Sequence, residues 1–326
     1  MINISIIIIS ILSIIGTLLP ESKSKHWFIR GQSNFKAVYL IVNIIILIIL
    51  LISTVGILFK VPLGILLVLS IYMCLKSIAP YSPLFPKKID DAVKFNNDQE
   101  LSILIHNVYQ FNDQYDSLAK MILDQDTDIV LLLEINEDWE EGLSKLKKSY
   151  EHVIKQVQEN TYGIMLMSKI ELNVAKVNNL VSQDIPSVET LFHKNGKAIR
   201  IIGLHPEPPI PGEVLTSLPK EKEMLTAADK INEIDEEFED DELTIVIGDL
   251  NDVAWSRIAK KFKKLTGLVD PRVGRGFYST FPSYSPIKIP LDHVFCSPSF
   301  KLIQFDTLDS MGSDHKSVLV KFKVPN

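Results

Sequence analysis

Three long apolar runs at the N-terminus restrict what this chain can fold into more than any other feature. Residues 2–19 are almost all Ile, Leu and Ser, and similar runs cover residues 37–59 and 61–78. Because about 20 apolar helical residues span the hydrocarbon layer of a bilayer, residues 1–78 are predicted to form three transmembrane helices. Lys60, Pro62 and Gly64 predict a tight hairpin between the second and third helix.

The predicted location is therefore a cell membrane, with several passes. A cleaved signal peptide is the alternative for the first run, but MINIS has no basic residue and no small-x-small site follows. The distribution of cations favours a cytoplasmic location for the large domain that follows these runs. One side holds only Lys60, whereas the other holds seven cations: Lys23, Lys25, Arg30, Lys36, Lys76, Lys87 and Lys88. A re-entrant third run would move the domain to the opposite side.

Residues 79–99 are predicted to be a linker, because their first ten residues, APYSPLFPKK, are rich in proline. From residue 100 to 326, short apolar runs alternate with helical patterns, which predicts an α/β domain with sheets inside and helices outside. Residues 90–326 contain 26 Lys/Arg and 39 Asp/Glu, a net charge of −13. That charge is poorly suited to non-specific binding of nucleic acid.

Polar side chains stand at the ends of several predicted strands of this domain. Because the ends of adjacent strands meet in space, these side chains are predicted to line one pocket. The set consists of Asn107, Glu134, His205, Asp249, Asn251, Asp292, Asp314 and His315. Taken singly, most of them are equally well explained as caps or turn residues. His293 alternates with Asp292 along its strand and is interpreted as structural.

His205 opens a stretch in which Pro206, Pro208, Pro209 and Pro211 follow within six residues, GLHPEPPIP in full. Proline cannot continue a paired strand, so the strand is predicted to end at the histidine. A stiff surface connector with an incidental histidine is the alternative interpretation of this stretch.

These residue types suit metal-assisted phosphoester cleavage. Carboxylate and amide oxygens around Glu134 are suitable ligands for Mg²⁺, with Mn²⁺ as the alternative metal. Asp249 can accept a proton from water, Asn251 can hold a phosphoryl oxygen, and His205 and His315 can supply hydrogen bonds. Arg275, with Arg272, is a candidate for binding a substrate phosphate, the alternative being a solvated loop.

Residues 100–325 resemble the endonuclease/exonuclease/phosphatase superfamily, whose fold is the DNase-like four-layered α/β/β/α sandwich. The resemblance rests on ordered motifs: HNVY (106–109), LLLEIN (131–136), GLHPEPP (203–209), GDLND (248–252), PLDHVF (290–295) and GSDHKSV (312–318). It implies that Glu134 is the main metal ligand, with Asn107 and Asp314 beside it. It further implies that Asp249 and Asn251 direct water, that Asn107 and His205 contact phosphate, and that Asp292 orients His315.

Some nucleases of the superfamily have an aspartate where this chain has Tyr109, so a second metal is not implied. The apolar N-terminus and the HP-x-PP form are more similar to the membrane-anchored branch that includes the teicoplanin-resistance protein. A lipid pyrophosphate phosphatase role is known for that protein, and members of the branch place the domain outside the cell, against the charge count.

The leading functional hypothesis is a membrane-anchored, Mg²⁺-dependent phosphoesterase. Its expected partners are the lipid bilayer and a phosphorylated substrate, lipid-linked or otherwise close to the membrane. A Mg²⁺-dependent nuclease acting on DNA or RNA is the second hypothesis, and a non-catalytic membrane scaffold is the third.

Overall fold

The computed structural model describes residues 2–209, 214–233 and 242–325. Its N-terminal part is helical and contains α1 (Ile2–Leu18), the short α2 (Trp27–Gly31), α3 (Lys36–Ile52) and α4 (Ile57–Ile78). Together with adjoining helical turns, these elements give three helical stretches long and apolar enough to cross a membrane: Ile2–Glu21, Trp27–Ile52 and Ile57–Tyr81.

Polar side chains inside this bundle connect α1 to α3. Asn43 is completely buried; its Oδ1 accepts from Ser13 Oγ (2.8 Å) and its Nδ2 donates to Thr17 Oγ1 (3.0 Å). Such interhelical hydrogen bonds fix the rotation and register of helices that otherwise present only aliphatic surface.

The predicted hairpin at Lys60, Pro62 and Gly64 is wrong. The chain turns earlier, between the end of α3 and Ile57, and Pro62 lies inside α4. A proline close to a helix start removes one backbone hydrogen bond, which the surrounding run of helical residues tolerates. Lys60 instead donates from Nζ to the carbonyl oxygens of Leu51 (3.2 Å) and Ser53 (2.6 Å). Its positive charge stabilises the C-terminal end of α3, where the helix dipole is negative.

The remaining chain forms two sheets. In spatial order, the first contains β10 (Lys301–Thr307), β11 (Val318–Lys323), β1 (Glu100–Asn107), β2 (Ile129–Leu133), β4 (Ile164–Ser168) and β3 (His152–Gln156). The second contains β5 (Val174–Asn178), β6 (Ser187–Lys194), β7 (Lys197–Gly203), β8 (Leu243–Asp249) and β9 (Asp292–Cys296).

Strand alternation divides the apolar residues among three layers. Ile103 and Ile105 belong to the core between the sheets, whereas Leu104 packs on the outside of the first sheet with α5 (Tyr115–Gln125) and α6 (Glu137–Gly142). On the outside of the second sheet pack α7 (Leu218–Asn232) and α8 (Arg257–Thr266). The predicted four-layered α/β/β/α sandwich is confirmed. The sequence also predicts a helix over 219–238; it is present as α7, and residues 234–238 lie outside the described residues.

Strand direction brings the polar strand ends to one edge of the sandwich. β1 pairs with β2 in parallel, as β7 does with β8, so the carboxyl ends of each pair lie together. β9 is antiparallel to β8 and β11 is antiparallel to β1, so their starting ends lie at this same edge. Every polar position predicted for the pocket adjoins one of these six strands.

The segment between α1 and α3, residues 19–35, docks on the sandwich, and we call it the docking segment. Trp27 donates its backbone N–H to the carbonyl of Leu215 (2.9 Å). The indole Nε1 of Trp255 donates to the carbonyl of Ser33 (2.9 Å). Trp255 is therefore a core residue of this junction, where it also packs against Tyr81 and Phe277.

Candidate active site

Glu134 and Asn107 form a bonded pair where β1 and β2 end. Asn107 is 1% exposed and donates from Nδ2 to Glu134 Oε1 (2.8 Å) and to Asp249 Oδ2 (3.2 Å). The second Glu134 oxygen accepts the backbone N–H of Gln110 (3.1 Å). Glu134 has a φ of 64°, a left-handed conformation that is uncommon for glutamate and frequent at functional sites. Burial raises the pKa of the Glu134 carboxyl, against the effect of these two hydrogen bonds.

The end of β8 holds Asp249 and Asn251 in a tight turn. The backbone N–H of Asn251 donates to Asp249 Oδ1 (2.9 Å), and its side chain donates to the carbonyl of Pro206 (3.0 Å). Gly248 before them has a φ of 142°, and a Cβ there would lie 1.9 Å from the carbonyl oxygen of Leu204. Only glycine permits this approach between the two parallel strands.

His315 connects two buried carboxylates. Its Nδ1 lies 2.8 Å from Asp292 Oδ2 and its Nε2 lies 3.5 Å from Asp249 Oδ2. Although burial opposes the charge, the two carboxylates raise the pKa of His315 to about 10. Burial also tends to raise the pKa of Asp292, but the charge and hydrogen bond of His315 outweigh it and lower that pKa. The pKa of Asp249 is raised by burial.

His205 follows β7 and faces the same carboxylate. Its Nε2 is 3.8 Å from Asp249 Oδ2, and burial lowers its pKa. Its Nδ1 is buried without a hydrogen-bond partner in the part of the chain that the structure describes. Pro208 and Pro209 continue from it along a cavity wall, whereas Pro211 lies outside the described residues.

The donor atoms of this site fit a divalent cation. Within the described ranges, ligand atoms of Asp249, Asp292 and His315 lie within 4.8 Å of one another. This cluster differs from the predicted ligands Glu134, Asn107 and Asp314. Glu134, the predicted main ligand, lies beside this cluster, because the Asn107 amide donates to both Glu134 and Asp249. The charge of Asp314 further raises the pKa of Glu134, and a bound cation would relieve this repulsion.

Neither of the two candidate arginines lines the cavity or donates to a side chain of this set. Arg275 donates to Asp91, to the carbonyl of Ile89 (2.8 Å) and to the carbonyl of Pro271 (2.7 Å), and so joins the linker to the domain. Its position does not fit the predicted binding of substrate phosphate. Arg272 is completely buried and bonds Asp270, as well as the carbonyl of Asp292 (3.2 Å).

Arg272 also contacts His293, whose Nδ1 is 2.6 Å from Nη2 of the arginine. The other ring nitrogen of His293 is 2.7 Å from the carbonyl oxygen of Asp252. The predicted structural role of His293 agrees with these two contacts, which support the loops on either side of Asp292.

A cavity of about 420 Å³ opens over the site. Six predicted residues line it: Glu134, His205, Asp249, Asn251, Asp314 and His315. Much of the remaining wall is apolar or aromatic, including Trp27 and Phe35 of the docking segment and Phe281 opposite. The cavity therefore combines a polar end with an apolar wall that the N-terminal region supplies in part.

Two cations in the cavity wall are not among the site residues predicted from the sequence. Lys220 lies at the start of α7 and donates from Nζ to the carbonyl of Asn251 (2.9 Å). Arg30 lies in α2 and had been considered only for membrane orientation. Neither follows a strand of the sandwich, so the strand-end pattern could not identify them.

Comparison with known proteins gives one family. The model described as "Endonuclease/Exonuclease/phosphatase family" matches residues 104–315, which spans every predicted site residue. No curated protein matches the chain.

Solved structures with the same fold are distant in sequence. D. rerio TDP2, complexed with a single strand DNA product, is 18% identical with a TM-score of 0.57, covering 68% of this chain and 98% of that one. A functionally unknown conserved protein from Enterococcus faecalis V583 is 13% identical with a TM-score of 0.54, covering 69% and 100%. An endonuclease/exonuclease/phosphatase family protein from Leptotrichia buccalis C-1013-b is 17% identical with a TM-score of 0.52, covering 68% and 99%.

Proposed function

The chain belongs to the endonuclease/exonuclease/phosphatase family of hydrolases, and we propose that it is a membrane-anchored, Mg²⁺-dependent phosphoesterase that acts on a lipid-linked phosphate. The observation that carries the proposal is the composition of the cavity. One wall holds the strand-end side chains, and another is built by the docking segment that connects two apolar helices. A substrate in this cavity contacts the candidate catalytic groups and the membrane-proximal segment at the same time.

The apolar part of the wall suits the chain of a lipid. Trp27 in the middle of the docking segment and Phe35 at its end before α3 both line the cavity. Phe281 and Leu291 extend the apolar surface toward His315. Ligand pockets commonly combine such surfaces with a few placed polar groups, which fix the reacting end.

Each strand-end residue has a proposed task. Asp249 accepts the proton of the attacking water, and Asn251, held by the Pro206 carbonyl, donates to a phosphoryl oxygen. His205 binds the scissile phosphate. His315, held by Asp292 at 2.8 Å, donates to the developing negative charge.

Glu134, Asn107 and Asp314 would hold the Mg²⁺ ion, with Mn²⁺ as the alternative metal. When bound, such an ion polarises the phosphoryl group and stabilises the leaving oxygen. Asn107 has a second task in this arrangement, because its Nδ2 donates to both Glu134 and Asp249 and so fixes the two carboxylates relative to each other.

We propose that all three long helices span the membrane. With three spans, the chain crosses the membrane twice between the docking segment and the sandwich, so both lie on the same side. The hydrogen bonds of Trp27 and Trp255 require that arrangement. These contacts support three spans over the re-entrant alternative. Protease digestion of intact cells would distinguish a cytoplasmic domain, which the cation distribution favours, from an exterior one, which the family resemblance favours.

The decisive test is hydrolysis by the full-length protein in detergent. We expect phosphate release from prenyl or acylglycerol phosphates with Mg²⁺, and none with EDTA. Glu134→Ala is expected to lower kcat/KM by about 100-fold or more, because such a group acts directly on the reacting charges. Cleavage of DNA without cleavage of any lipid phosphate would reject the lipid proposal.

The nuclease remains the second candidate. Tyr109 and Phe111 are exposed aromatic residues at the cavity, in edge contact with each other, and aromatic rings of this kind can stack on bases. The same assay on single-stranded DNA and RNA decides between the lipid phosphoesterase and the nuclease. If the protein is a nuclease, Tyr109→Ala is expected to reduce cleavage of nucleic acid.

A further inference from the structure

Arg30 is a buried guanidinium with unused donors in the wall of the cavity. It is 9% exposed, and its Nη1 donates to the carbonyl oxygen of Pro20 (2.8 Å). Its Nε and Nη2 are buried and have no hydrogen-bond partner among residues 2–209, 214–233 and 242–325. A buried donor left without a partner is unfavourable, and the cost is larger for a charged group.

The nearest counter-charge does not resolve this deficit. Glu221 Oε1 is 3.8 Å from Arg30 Nε, which is too long for a hydrogen bond, and Ser217 already donates to the same oxygen at 2.7 Å. Glu221 also pairs with Lys25, again at 3.8 Å. The guanidinium is therefore fixed by Pro20 and partly neutralised, but it retains two donor groups for another acceptor.

The other cations near the site are used differently. Lys220 donates to the Asn251 carbonyl and lies 3.0 Å from Asp252 Oδ2, so it supports the turn after β8. Arg275 has acceptors for its Nε, Nη1 and Nη2 groups in the linker and its own loop. Arg30 differs from both in lining the cavity with donors to spare.

We propose that Arg30 binds phosphate oxygens of the substrate, so that the membrane region contributes a substrate-binding residue as well as an anchor. The inference rests on the proposed function for the identity of the substrate. Two N–H groups of a guanidinium match two oxygens of a phosphate, which makes arginine suited to this contact. The docking segment then selects substrates that carry phosphate at the membrane surface.

The test compares full-length wild type with Arg30→Gln, Arg30→Lys and the control Arg257→Gln, an exposed arginine at the start of α8. Two quantities are measured: the rise in melting temperature caused by inorganic phosphate, and the KM and kcat for a prenyl monophosphate and a prenyl diphosphate. Arg30→Gln is expected to abolish most of the phosphate-induced rise. It is also expected to raise KM by about 10-fold or more, the effect of losing hydrogen bonds to a charged group.

Arg30→Lys is expected to be intermediate, because it keeps the charge and loses the two-pronged donor. A larger KM effect on the diphosphate than on the monophosphate assigns Arg30 to the phosphate next to the scissile one. Equal effects assign it to the scissile group. A purely structural role predicts a lower melting temperature for Arg30→Gln with the phosphate-induced rise and KM unchanged, and that result would overturn the proposal.

The two proposals can fail separately. If the wild type hydrolyses no lipid phosphate, the proposed function fails, while the phosphate-induced rise in melting temperature still decides whether Arg30 binds phosphate.

Discussion

The residues of the candidate site are held in place by a chain of hydrogen bonds that reaches across both sheets. Ser313 donates from Oγ to the carbonyl of Asn107 (2.7 Å) and accepts the backbone N–H of His315 (2.9 Å). His315 in turn contacts Asp292 of the second sheet. Because the ends of this chain belong to different sheets, the geometry of the site depends on how the sheets pack.

Asp292→Asn tests whether His315 acts through the charge of its partner. The amide keeps the shape but removes the negative charge that favours the charged imidazole. We expect kcat to fall by about 100-fold or more with little change in KM, as for other groups that act on the developing charge. Asp306→Asn, an exposed aspartate of β10, is the matched control. A normal kcat for Asp292→Asn would remove this residue from the mechanism.

Glu223 gives a pH dependence that is separate from the site. It is 2% exposed, its Oε1 has no partner in the described part of the chain, and burial raises its pKa to about 8. The raised pKa means that the folded state holds this proton more tightly than the unfolded state. Stability is therefore greatest below the ordinary carboxyl pKa and is lost as pH rises through about 8.

Because of Glu223, the free energy of unfolding at pH 7 is expected to be lower than at pH 4 by on the order of 3 kcal/mol. Glu223→Gln cannot ionise, so the difference in melting temperature between pH 5 and pH 8 is expected to shrink in this variant. Thermal unfolding in detergent at the two pH values measures it, with the exposed Glu171→Gln as control. An undiminished pH dependence in Glu223→Gln would contradict the assignment.

At this scale, sequence predicted the residues that follow strands and missed those that do not. Glu134 and Asp249 were predictable because a polar residue directly after a buried strand must lie at the edge of the sheet where that strand ends. Arg275 looked equally suitable by composition, but its acceptors at residues 89 and 91 depend on tertiary packing. Arg30 was interpreted only as part of a membrane loop, since nothing local to it indicates a cavity formed with distant strands.

Among the elements, the apolar helices are connected by polar contacts as well as by packing. Asn43→Ala removes the bonds to Ser13 and Thr17 and leaves their hydroxyl groups without this partner. We expect a loss of roughly 0.6 to 2 kcal/mol in the free energy of unfolding in mixed micelles. Asn3→Ala, which removes a half-buried asparagine whose hydrogen bond to Thr54 is exposed to solvent, is the control. Equal stability of the two variants would show that the buried bonds do not hold the bundle.

The proline stretch after β7 acts as an element of its own. Pro208 and Pro209 line the cavity beyond His205. Replacing either proline by alanine raises the conformational entropy of the unfolded chain, which favours unfolding by roughly 0.4 to 1 kcal/mol. The double replacement is expected to lower turnover several-fold and to broaden substrate choice, measured on lipid and short-chain phosphates. Pro298→Ala, an exposed turn proline, is the control. Unchanged turnover and selectivity would favour the stiff connector.

Element types were more predictable than element boundaries. The alternation of buried strands and helices was sufficient for the sandwich, because most of the described strands carry a distinct apolar run. The β3 strand, His152–Gln156, was missed because only Ile154 of its five residues is buried. The turn between α3 and α4 was misplaced because Pro62 suggested a break that the helix absorbs.

For the whole molecule, the central feature is the contact between the N-terminal helical region and the sandwich. Trp255→Phe removes the hydrogen bond to Ser33 while keeping an aromatic ring in the Tyr81 cluster. We expect KM for a long-chain lipid phosphate to rise several-fold, with little change for a short soluble phosphate. A net hydrogen bond of about 1 kcal/mol accounts for that factor.

Steady-state kinetics on both substrates measure the effect. Trp139→Phe is the matched control, because the indole nitrogen of that buried tryptophan has no partner among the described residues. A parallel change of KM for both substrates in Trp255→Phe would mean that the contact stabilises the site without favouring lipids.

The order of synthesis gives the docking segment a further consequence. Residues 19–35 are translated before every strand of the sandwich, so one wall of the cavity is made before the strands that form the rest of it. The hydrogen bond from Trp255 to Ser33 can form only after β8 has been translated. Under the proposed function, chains that do not insert α1 and α3 into the membrane are therefore expected to fold into a sandwich with an incomplete cavity and to show reduced activity toward the lipid.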